Sequence, residues 1–278
     1  MKKRKIYLWI GLVLLGLIGL WYASSEQLNT VHYTIGSNQA GDITIALVTD
    51  LHSCDYGPEQ RELLDEIDRA KPDMVLLGGD IIDDVLPQAP AKTVLKYLGE
   101  NYPTYYVTGN HEFWTGDIDE IKRLVQSFGI PVLEGDSKTL EVAGQTVTIS
   151  GIDDPEVGDW EHERQLKRVT SLQTEDLHIL LAHRPEMIED YLPGDFDLIL
   201  SGHAHGGQWR LPGLMNGLLA PDQGFFPKYA GGRYDFEDTT FIVSRGLARE
   251  STRVPRLFNR PELVIITVNQ VKETALNR

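Results

Sequence analysis

The sequence predicts an α/β domain preceded by a single membrane-spanning helix, and three observations support this. An uncharged apolar run follows a basic N-terminus. Beyond it, short buried-strand patterns alternate with helical patterns, as they do in proteins built from βαβ units. Polar clusters follow five of the predicted strands, at the positions where open α/β sheets place their sites. The chain of 278 residues leaves about 250 for this domain, enough for one large core.

The N-terminal segment has the pattern of a membrane anchor. Positions 2–5 are all basic, and the run 6–22 carries no charge and is at the short end of what spans a bilayer as a helix. Aromatic side chains lie near both ends of the run, where they favour the membrane interface: Trp9, Trp21 and Tyr22. Because basic flanks stay on the cytoplasmic side, we expect a single-pass protein of the cell membrane with its domain outside.

Two alternatives remain open for this segment. The small residues Ala23, Ser24 and Ser25 are compatible with cleavage of a signal peptide, which would export the domain. The segment would otherwise be a buried core helix. We divide the chain into a basic end and transmembrane anchor at 1–23, a polar tether with an edge strand at 24–40, and the main domain at 41–278.

Predicted strands are short apolar runs, and predicted helices carry apolar residues three and four positions apart. After an edge strand at 31–35, buried strands are expected at 43–49, 74–77, 104–107, 177–181, 198–200, 240–244 and 263–268. Helices are expected at 59–70, 91–98, 118–128, 161–172 and 186–191, and Ala143-Gly144 is expected to turn a hairpin of 139–142 with 146–150. The hairpins suggest a second, mixed sheet. The Gly- and Pro-rich stretch 202–233 is expected to be a long functional loop.

The charge balance argues against nucleic-acid binding. The chain has 26 basic and 41 acidic residues, a formal net charge of −15, whereas affinity for a phosphate backbone depends on a basic surface. The one cysteine, Cys54, excludes a disulfide within the chain and a cysteine zinc cluster. We expect a monomer without a nucleic-acid partner.

Side chains suited to metal binding follow five of the predicted strands: Asp50 and His52, then Asp80, then Asn110 and His111, then His183, and finally His203 and His205. Their oxygen and nitrogen donors suit Mn, Fe, Zn or Mg ions. Each residue alone is a weak signal, because a lone histidine after an apolar strand is more often part of the core. Their common position at the carboxyl ends of strands makes the set informative, since five of the 8 histidines belong to it.

This series resembles a known family signature. Asp50-x-His52, Gly79-Asp80, Gly109-Asn110-His111-Glu112, His183 and Gly202-His203-x-His205 together resemble the motif of the calcineurin-like metallophosphoesterases, over residues 43–268. Segments 201–208, 223–229, 244–247 and 256–262 resemble the bacterial branch of cell-envelope phosphohydrolases, whose members are membrane-attached or exported. The resemblance implies a four-layer α/β/β/α sandwich with metals between two sheets.

The resemblance also implies the roles of the site residues. One divalent ion (Mn, Fe, Zn or similar) would be held by Asp50, His52, Asp80 and His205, and a second by Asp80, Asn110, His183 and His203, with Asp80 bridging. His111 matches the family position near the phosphoryl oxygens and the leaving group. Two cations lower the pKa of a bridging water, so hydroxide would attack a phosphodiester, phosphomonoester or pyrophosphate while His111 assists the departing oxygen. Glu112 is expected to orient a ligand, and 153–155 to form a turn.

Two other functions are weighed against this one. A metal-stabilised scaffold that binds a partner protein would not need an acid beside an open metal, and C–N bond hydrolases usually begin with HxH rather than Asp50-x-His52. The sequence does not identify the substrate. The segment 209–227 is rich in large apolar residues. They predict either a loop packed on the sheet edge or the wall of a groove for a lipid-linked phosphoester.

Overall fold

The computed structural model describes residues 23–37, 41–249 and 254–270, together with scattered positions between 7 and 19. Most of the predicted anchor at 6–22 lies outside the described residues. Within the described parts of the chain, no helix is both long enough and apolar enough to cross a membrane. Membrane anchorage therefore stays a prediction.

The described strands match every strand that the sequence predicts and add others. They are β1 (Asn29–Ser37), β2 (Ile43–Val48), β3 (Met74–Gly78), β4 (Thr104–Val107), β5 (Asp136–Val142), β6 (Gln145–Gly151), β7 (Leu177–Leu181), β8 (Leu198–Ser201), β9 (Leu219–Ala220), β10 (Gly224–Phe225), β11 (Gly232–Phe236), β12 (Thr239–Val243) and β13 (Glu262–Gln270). The expected loop at 202–233 is largely irregular, but β9 and β10 form a small hairpin inside it and β11 begins at its end.

The helices also follow the predicted order. They are α1 (Arg61–Ala70), α2 (Ala89–Asn101), α3 (Asn110–Trp114), α4 (Ile118–Ser127), α5 (Asp159–Thr170) and α6 (Ile188–Tyr191). In α1, the buried Leu63, Leu64 and Ile67 share one face, which explains why this stretch packs as a helix on a sheet. The short α3 was not predicted, because its five residues contain too little periodicity to be recognised.

Two mixed sheets carry these strands. The first has the order β1-β13-β2-β3-β4, in which β2, β3 and β4 are parallel and β13 is antiparallel to β2. The second has the order β11-β12-β8-β7-β6-β5, with a parallel centre and antiparallel strands at both edges. The carboxyl ends of the parallel strands therefore lie at one edge of each sheet, where loops can meet.

Three apolar clusters define the layers. Side chains of both sheets, among them Ile45 and Leu76 from the first and Ile149 and Leu200 from the second, form one buried cluster between them. A second cluster joins the first sheet to α1, α2 and α4, and a third joins the second sheet to α5 and α6. Burial of each large apolar side chain contributes about 1.5–3 kcal/mol. The layers are those of an α/β/β/α sandwich, as the family resemblance implies.

Candidate metal centre

The predicted ligands converge at the carboxyl ends of the strands. Asp50, His52 and His205 form one group of potential ligand atoms within 4.8 Å of one another, and Asp80, His183 and His203 form another. The first sheet contributes the loops after β2, β3 and β4, and the second contributes those after β7 and β8. The structure thus brings all the expected residues together, and their roles as ligands remain predictions.

The first group is arranged around His52. The Nδ1 atom of His52 is 3.0 Å from Asp83 Oδ2, which can accept its proton and fix the tautomer. The other ring nitrogen, Nε2, then carries the lone pair and lies 3.5 Å from Asp80 Oδ2. The rings of His52 and His205 lie 5.1 Å apart, and His205 Nε2 is 3.9 Å from Asp50 Oδ1.

In the second group, two histidines present lone pairs to each other. His183 Nδ1 is 2.8 Å from the carbonyl of Gly78, to which it must donate, so Nε2 carries the lone pair. His203 Nε2 lies 2.9 Å from Asp222 Oδ2, which can only accept, and 3.1 Å from Arg184 Nη1, which can only donate. With its proton directed to the closer Asp222, His203 carries its lone pair on Nδ1. Those two lone-pair nitrogens are 3.2 Å apart, and His183 Nε2 is also 3.2 Å from Asp80 Oδ2. Such an arrangement is stable only around a cation, either a proton or a metal ion.

Several buried atoms of the site fit metal ions for a further reason. Among the described residues, Asp50 Oδ2, His52 Nε2, Asp80 Oδ2 and Asn110 Oδ1 are buried without a hydrogen-bond partner. An unpaired buried polar atom costs about 1–3 kcal/mol, and more if it is charged. Four such atoms from four expected ligands, all of types that Mn, Fe or Zn accept, are the donor set that two divalent ions would satisfy.

The electrostatics of the site also favour cations. Burial lowers the pKa of His183, but the Asp80, Asp50 and Asp154 carboxylates outweigh it and raise that pKa to about 10. Burial raises the pKa of Asp80, yet the neighbouring His183 and His52 hold it well below its usual range. The carboxylates therefore create a negative potential that binds positive charge, whether carried by protons or by metal ions.

The backbone is held in an unusual conformation at five of the expected ligands. Asp50, His52, Asp80, His203 and His205 have φ between 46° and 65°, the left-handed region that non-glycine residues seldom adopt. Each such residue costs about 1–3 kcal/mol and persists only where its surroundings impose it. Ten other non-glycine residues of the described chain also have positive φ, so the conformation is not confined to the site, but five of the seven expected ligands adopt it.

Two glycines allow the loops to approach so closely. A Cβ atom on Gly109 would lie 2.2 Å from Asp80 Oδ1, and one on Gly202 would lie 2.4 Å from Asp50 Oδ2. Neither carboxylate could keep its place beside a larger residue. The packing therefore requires glycine at these two positions.

Glu112 holds the loop that carries Asp80. Its fully buried carboxylate accepts hydrogen bonds from the backbone N–H groups of Asp80, Ile81, Ile82 and Gly109, at 2.7–2.9 Å, and from the Tyr106 hydroxyl at 2.6 Å. The Glu112 carboxylate therefore orients Asp80, a predicted ligand, by binding the backbone of Asp80 and not its carboxylate. Since five donors surround it, the ionised form of this carboxylate is the one that the loop requires.

His111 lies at the mouth of the site. Its Nδ1 is 2.7 Å from Asp84 Oδ1, and its ring contacts those of His52 and Trp114 at centroid distances of 4.3 and 4.6 Å. The ring is partly exposed, and it lines a cleft of about 470 Å³ together with Asp80, Asn110 and His205. Because Asp84 engages Nδ1, Nε2 is the nitrogen left for a molecule in the cleft.

Sequence reasoning missed the residues that support the histidines. Asp83 and Asp84 follow Asp80 closely and bind His52 and His111, so the acidic run after β3 was an unused signal. The stretch 153–155, expected to be a turn, contains a buried Asp154 that binds Arg184 through two contacts of 2.6 and 3.0 Å. Arg184 in turn pairs with Asp222 beside His203. No local pattern indicates this chain of contacts.

Comparison with known proteins gives the site its class. The family model described as calcineurin-like phosphoesterase matches residues 43–207, more than half of the chain. The chain belongs to that family and is a metal-dependent phosphoesterase. Among its relatives, the uncharacterized metallophosphoesterase YkuE of Bacillus subtilis is 29% identical over 258 residues, covering 89% of this chain and 87% of its own. Phosphodiesterase YaeI of Escherichia coli is 30% identical over 200 residues, covering 70% of each chain.

A solved structure agrees on the fold. NAD nucleotidase (NadN) of Haemophilus influenzae superimposes with a TM-score of 0.50 at 17% identity. The match covers 74% of this chain and 46% of the nucleotidase, so this chain spans about half of that protein. A likeness at this identity supports the shared architecture alone.

Proposed function

We propose that this chain hydrolyses a phosphoester bond at the outer face of the cell membrane, using two divalent cations. One cation would be held by Asp50, His52, Asp80 and His205, and the other by Asp80, Asn110, His183 and His203. The observation that carries the proposal is the pair of facing lone pairs on His183 Nε2 and His203 Nδ1, 3.2 Å apart beside the shared Asp80 carboxylate. Without metal ions a proton on His183, whose pKa is raised to about 10, would lie between these atoms, and a divalent cation would take its place.

The residues around the proposed cations have different roles in the reaction. Bound divalent ions supply a nucleophile by lowering the pKa of water and offset charge on the phosphoryl oxygens. Glu112 and the glycines keep the ligands in place. His111, fixed by Asp84 at Nδ1, presents Nε2 to the cleft and hydrogen-bonds or protonates the departing oxygen. Trp114 contacts the His111 ring at a centroid distance of 4.6 Å.

An amphiphilic phosphoester is the substrate class we favour. Leu214, Phe225 and Phe226 are 88%, 71% and 70% exposed, so for these three side chains the expected packing on the sheet edge is wrong. Pro221 and Asp222, which precede Phe225 and Phe226 in the β9–β10 hairpin, line the cleft. A head group in the cleft would therefore have apolar surface beside it, which supports the groove interpretation.

Hydrolysis of bis-p-nitrophenyl phosphate tests the proposed reaction. We expect turnover with Mn(II), its loss in EDTA, and its return when Mn(II) is restored. The monoester p-nitrophenyl phosphate, assayed in parallel, separates diesterase from monoesterase activity. Turnover that is unaffected by EDTA would overturn the two-cation mechanism.

Protease treatment of intact protoplasts tests the location. With the anchor retained, the domain should be digested while the basic end stays protected. Release of the domain into the medium without protease would support cleavage of a signal peptide instead. Protection of the entire chain would mean that the domain is cytoplasmic.

A further inference from the structure

Exposed apolar side chains concentrate on two adjoining segments, 207–226 and 254–258, which we call the apolar surface. Leu214, Phe225 and Phe226 are more than two-thirds exposed, at 88%, 71% and 70%. The same two segments also expose Trp209, Leu211, Leu219, Val254 and Phe258. Soluble monomers seldom display large contiguous apolar patches unless these patches bind something.

Hydrogen bonds join the two segments into one surface. The Trp209 indole donates to the Pro255 carbonyl at 3.0 Å, and Arg210 N–H donates to the Leu257 carbonyl at 3.0 Å. Leu218 N–H is tied to Gly207, and Phe226 N–H to Leu218, at 2.9 and 2.8 Å. These bonds fix both ends of the β9–β10 hairpin, so the exposed rings belong to an ordered part of the domain.

Ala23, which follows the apolar run 6–22, lies against this surface. Phe258 N–H donates to the carbonyl of Ala23 at 2.6 Å, and Ala23 is buried. Ala23 directly follows the predicted anchor at 6–22. The end of that apolar segment is therefore one residue from the apolar surface, and no flexible linker separates the two in sequence.

The charge of these segments differs from that of the whole chain. The chain has a net charge of −15, yet 207–230 contains Arg210 and Lys228 against a single acid, Asp222. The Asp222 carboxylate is engaged by His203 and Arg184 at the metal site. Residues 253–261 contain no acid, and because Arg256 among their three arginines is buried, this face is poor in acid rather than strongly basic. Anionic lipid repels an acidic domain least over such an acid-poor face.

We propose that the apolar surface docks on the outer leaflet of the bilayer that holds the anchor, with the rings of Trp209, Phe225 and Phe226 and the Leu214 side chain at the lipid interface. Trp and Phe are the residues that favour this depth. The inference rests on the membrane anchorage included in the proposed function. It adds an orientation: the β9–β10 hairpin contributes both to the docked face and to the cleft, so the cleft would open beside the lipid head groups.

Depth measurements on the full chain test this orientation. The chain is reconstituted in vesicles of phosphatidylcholine with phosphatidylglycerol and carries a nitroxide at Leu214→Cys or Phe225→Cys. Glu141→Cys is the matched control, because it lies exposed on β5, paired with Thr146 at the amino end of β6 and so opposite the site. The buried Cys54 of the parent chain sets the background labelling.

We expect nitroxides at 214 and 225 to be relaxed more by lipid-soluble oxygen than by a water-soluble nickel chelate, with the reverse order at 141. If all three labels prefer the nickel chelate while the chain cofractionates with the vesicles, docking is overturned and anchorage stands. If the chain does not cofractionate at all, anchorage fails and the inference fails with it. Turnover of the chromogenic diester in the same samples reports separately on catalysis.

Discussion

Asp80 is the residue on which the two halves of the site depend. Its Oδ2 atom faces His52 Nε2 at 3.5 Å and His183 Nε2 at 3.2 Å, and its Oδ1 accepts from His111 N–H at 2.8 Å. An amide at this position has one oxygen and no negative charge. We expect Asp80→Asn to lose both metal and activity, measured by inductively coupled plasma mass spectrometry and by diester turnover, whereas the exposed Asp119→Asn should change neither.

His111 should separate metal binding from chemistry. Because its ring lies at the mouth of the cleft and is fixed by Asp84 rather than by the core of the site, His111→Ala should keep most of the metal. Loss of an acid catalyst at this position should lower turnover by roughly 100-fold or more. If His111→Ala lost both ions, His111 would be a ligand and its proposed role would be wrong.

Asp222 tests whether a carboxylate that hydrogen-bonds to a predicted histidine ligand contributes to metal affinity. Its carboxylate accepts from His203 Nε2 at 2.9 Å and so leaves the lone pair of Nδ1 facing the site. Removal of such a partner typically costs 10–100-fold in metal affinity, so we expect about that loss for Asp222→Ala in competition with a chelator. The metal affinity of Asp222→Asn, which keeps an acceptor oxygen, should lie between those of the parent chain and Asp222→Ala. Equal affinity of Asp222→Ala and the exposed control Asp238→Ala would show that His203 needs no orientation.

At the level of elements, the short helix α3 connects the loops after β3 and β4 through Glu112. Glu112→Gln replaces one carboxylate oxygen by a donor that faces backbone N–H groups, either those of Asp80 and Gly109 or those of Ile81 and Ile82. We expect the free energy of unfolding to fall by about 2–4 kcal/mol, because buried donors lose their acceptors. Urea titration in EDTA measures this without a contribution from metal. The exposed Glu100→Gln is the control, and an equal midpoint for both variants would contradict the assignment.

The β9–β10 hairpin carries the prediction about substrate. Leu218→Asp or Phe225→Asp should lower turnover of a phospholipid-like substrate in detergent micelles far more than turnover of a small chromogenic diester. The reason is that only the phospholipid-like substrate would contact the apolar side chains of the hairpin. Ala143→Asp, on the hairpin between β5 and β6, should affect neither, since Asp tolerates the left-handed φ of 50° found there. Equal losses on both substrates would mean that the hairpin supports the structure of the site and does not bind a lipid chain.

The elements differ in how far the sequence reveals them. Buried strands such as β3 and β7 were predicted to within a residue or two, because their short apolar runs, interrupted in β7 only by His178, leave few alternatives. Strand β11 was missed because its residues alternate in polarity and contact solvent on one side. The expected ligands could be proposed because they follow predicted strands. Asp222 and Arg184 contact His203, and Asp154 contacts Arg184, from loops that only the folded chain brings together.

At the scale of the whole molecule, the proposed cations would join the two sheets. Asp50, His52, Asp80 and Asn110 follow strands of the first sheet, and His183, His203 and His205 follow strands of the second. Each proposed cation would therefore take ligands from both sheets. Apolar packing holds the centre of the sandwich, whereas at this edge the two layers meet through buried charges and unpaired polar atoms.

Metal removal should consequently destabilise the entire domain and not the loops alone. A ligand present at 100 times its dissociation constant stabilises the folded state by about 2.7 kcal/mol. For a domain of this size each kcal/mol shifts the melting temperature by about 2–4 °C, so EDTA should lower it by roughly 5–10 °C. Calorimetry of the parent chain with Mn(II) and with EDTA measures the shift, and Asp80→Asn should show none, because it has already lost the shared ligand. A melting temperature that is identical with and without metal in the parent chain would mean that the ions do not bridge the sheets, and the site would then have to be held in shape by Glu112 and the other buried contacts alone.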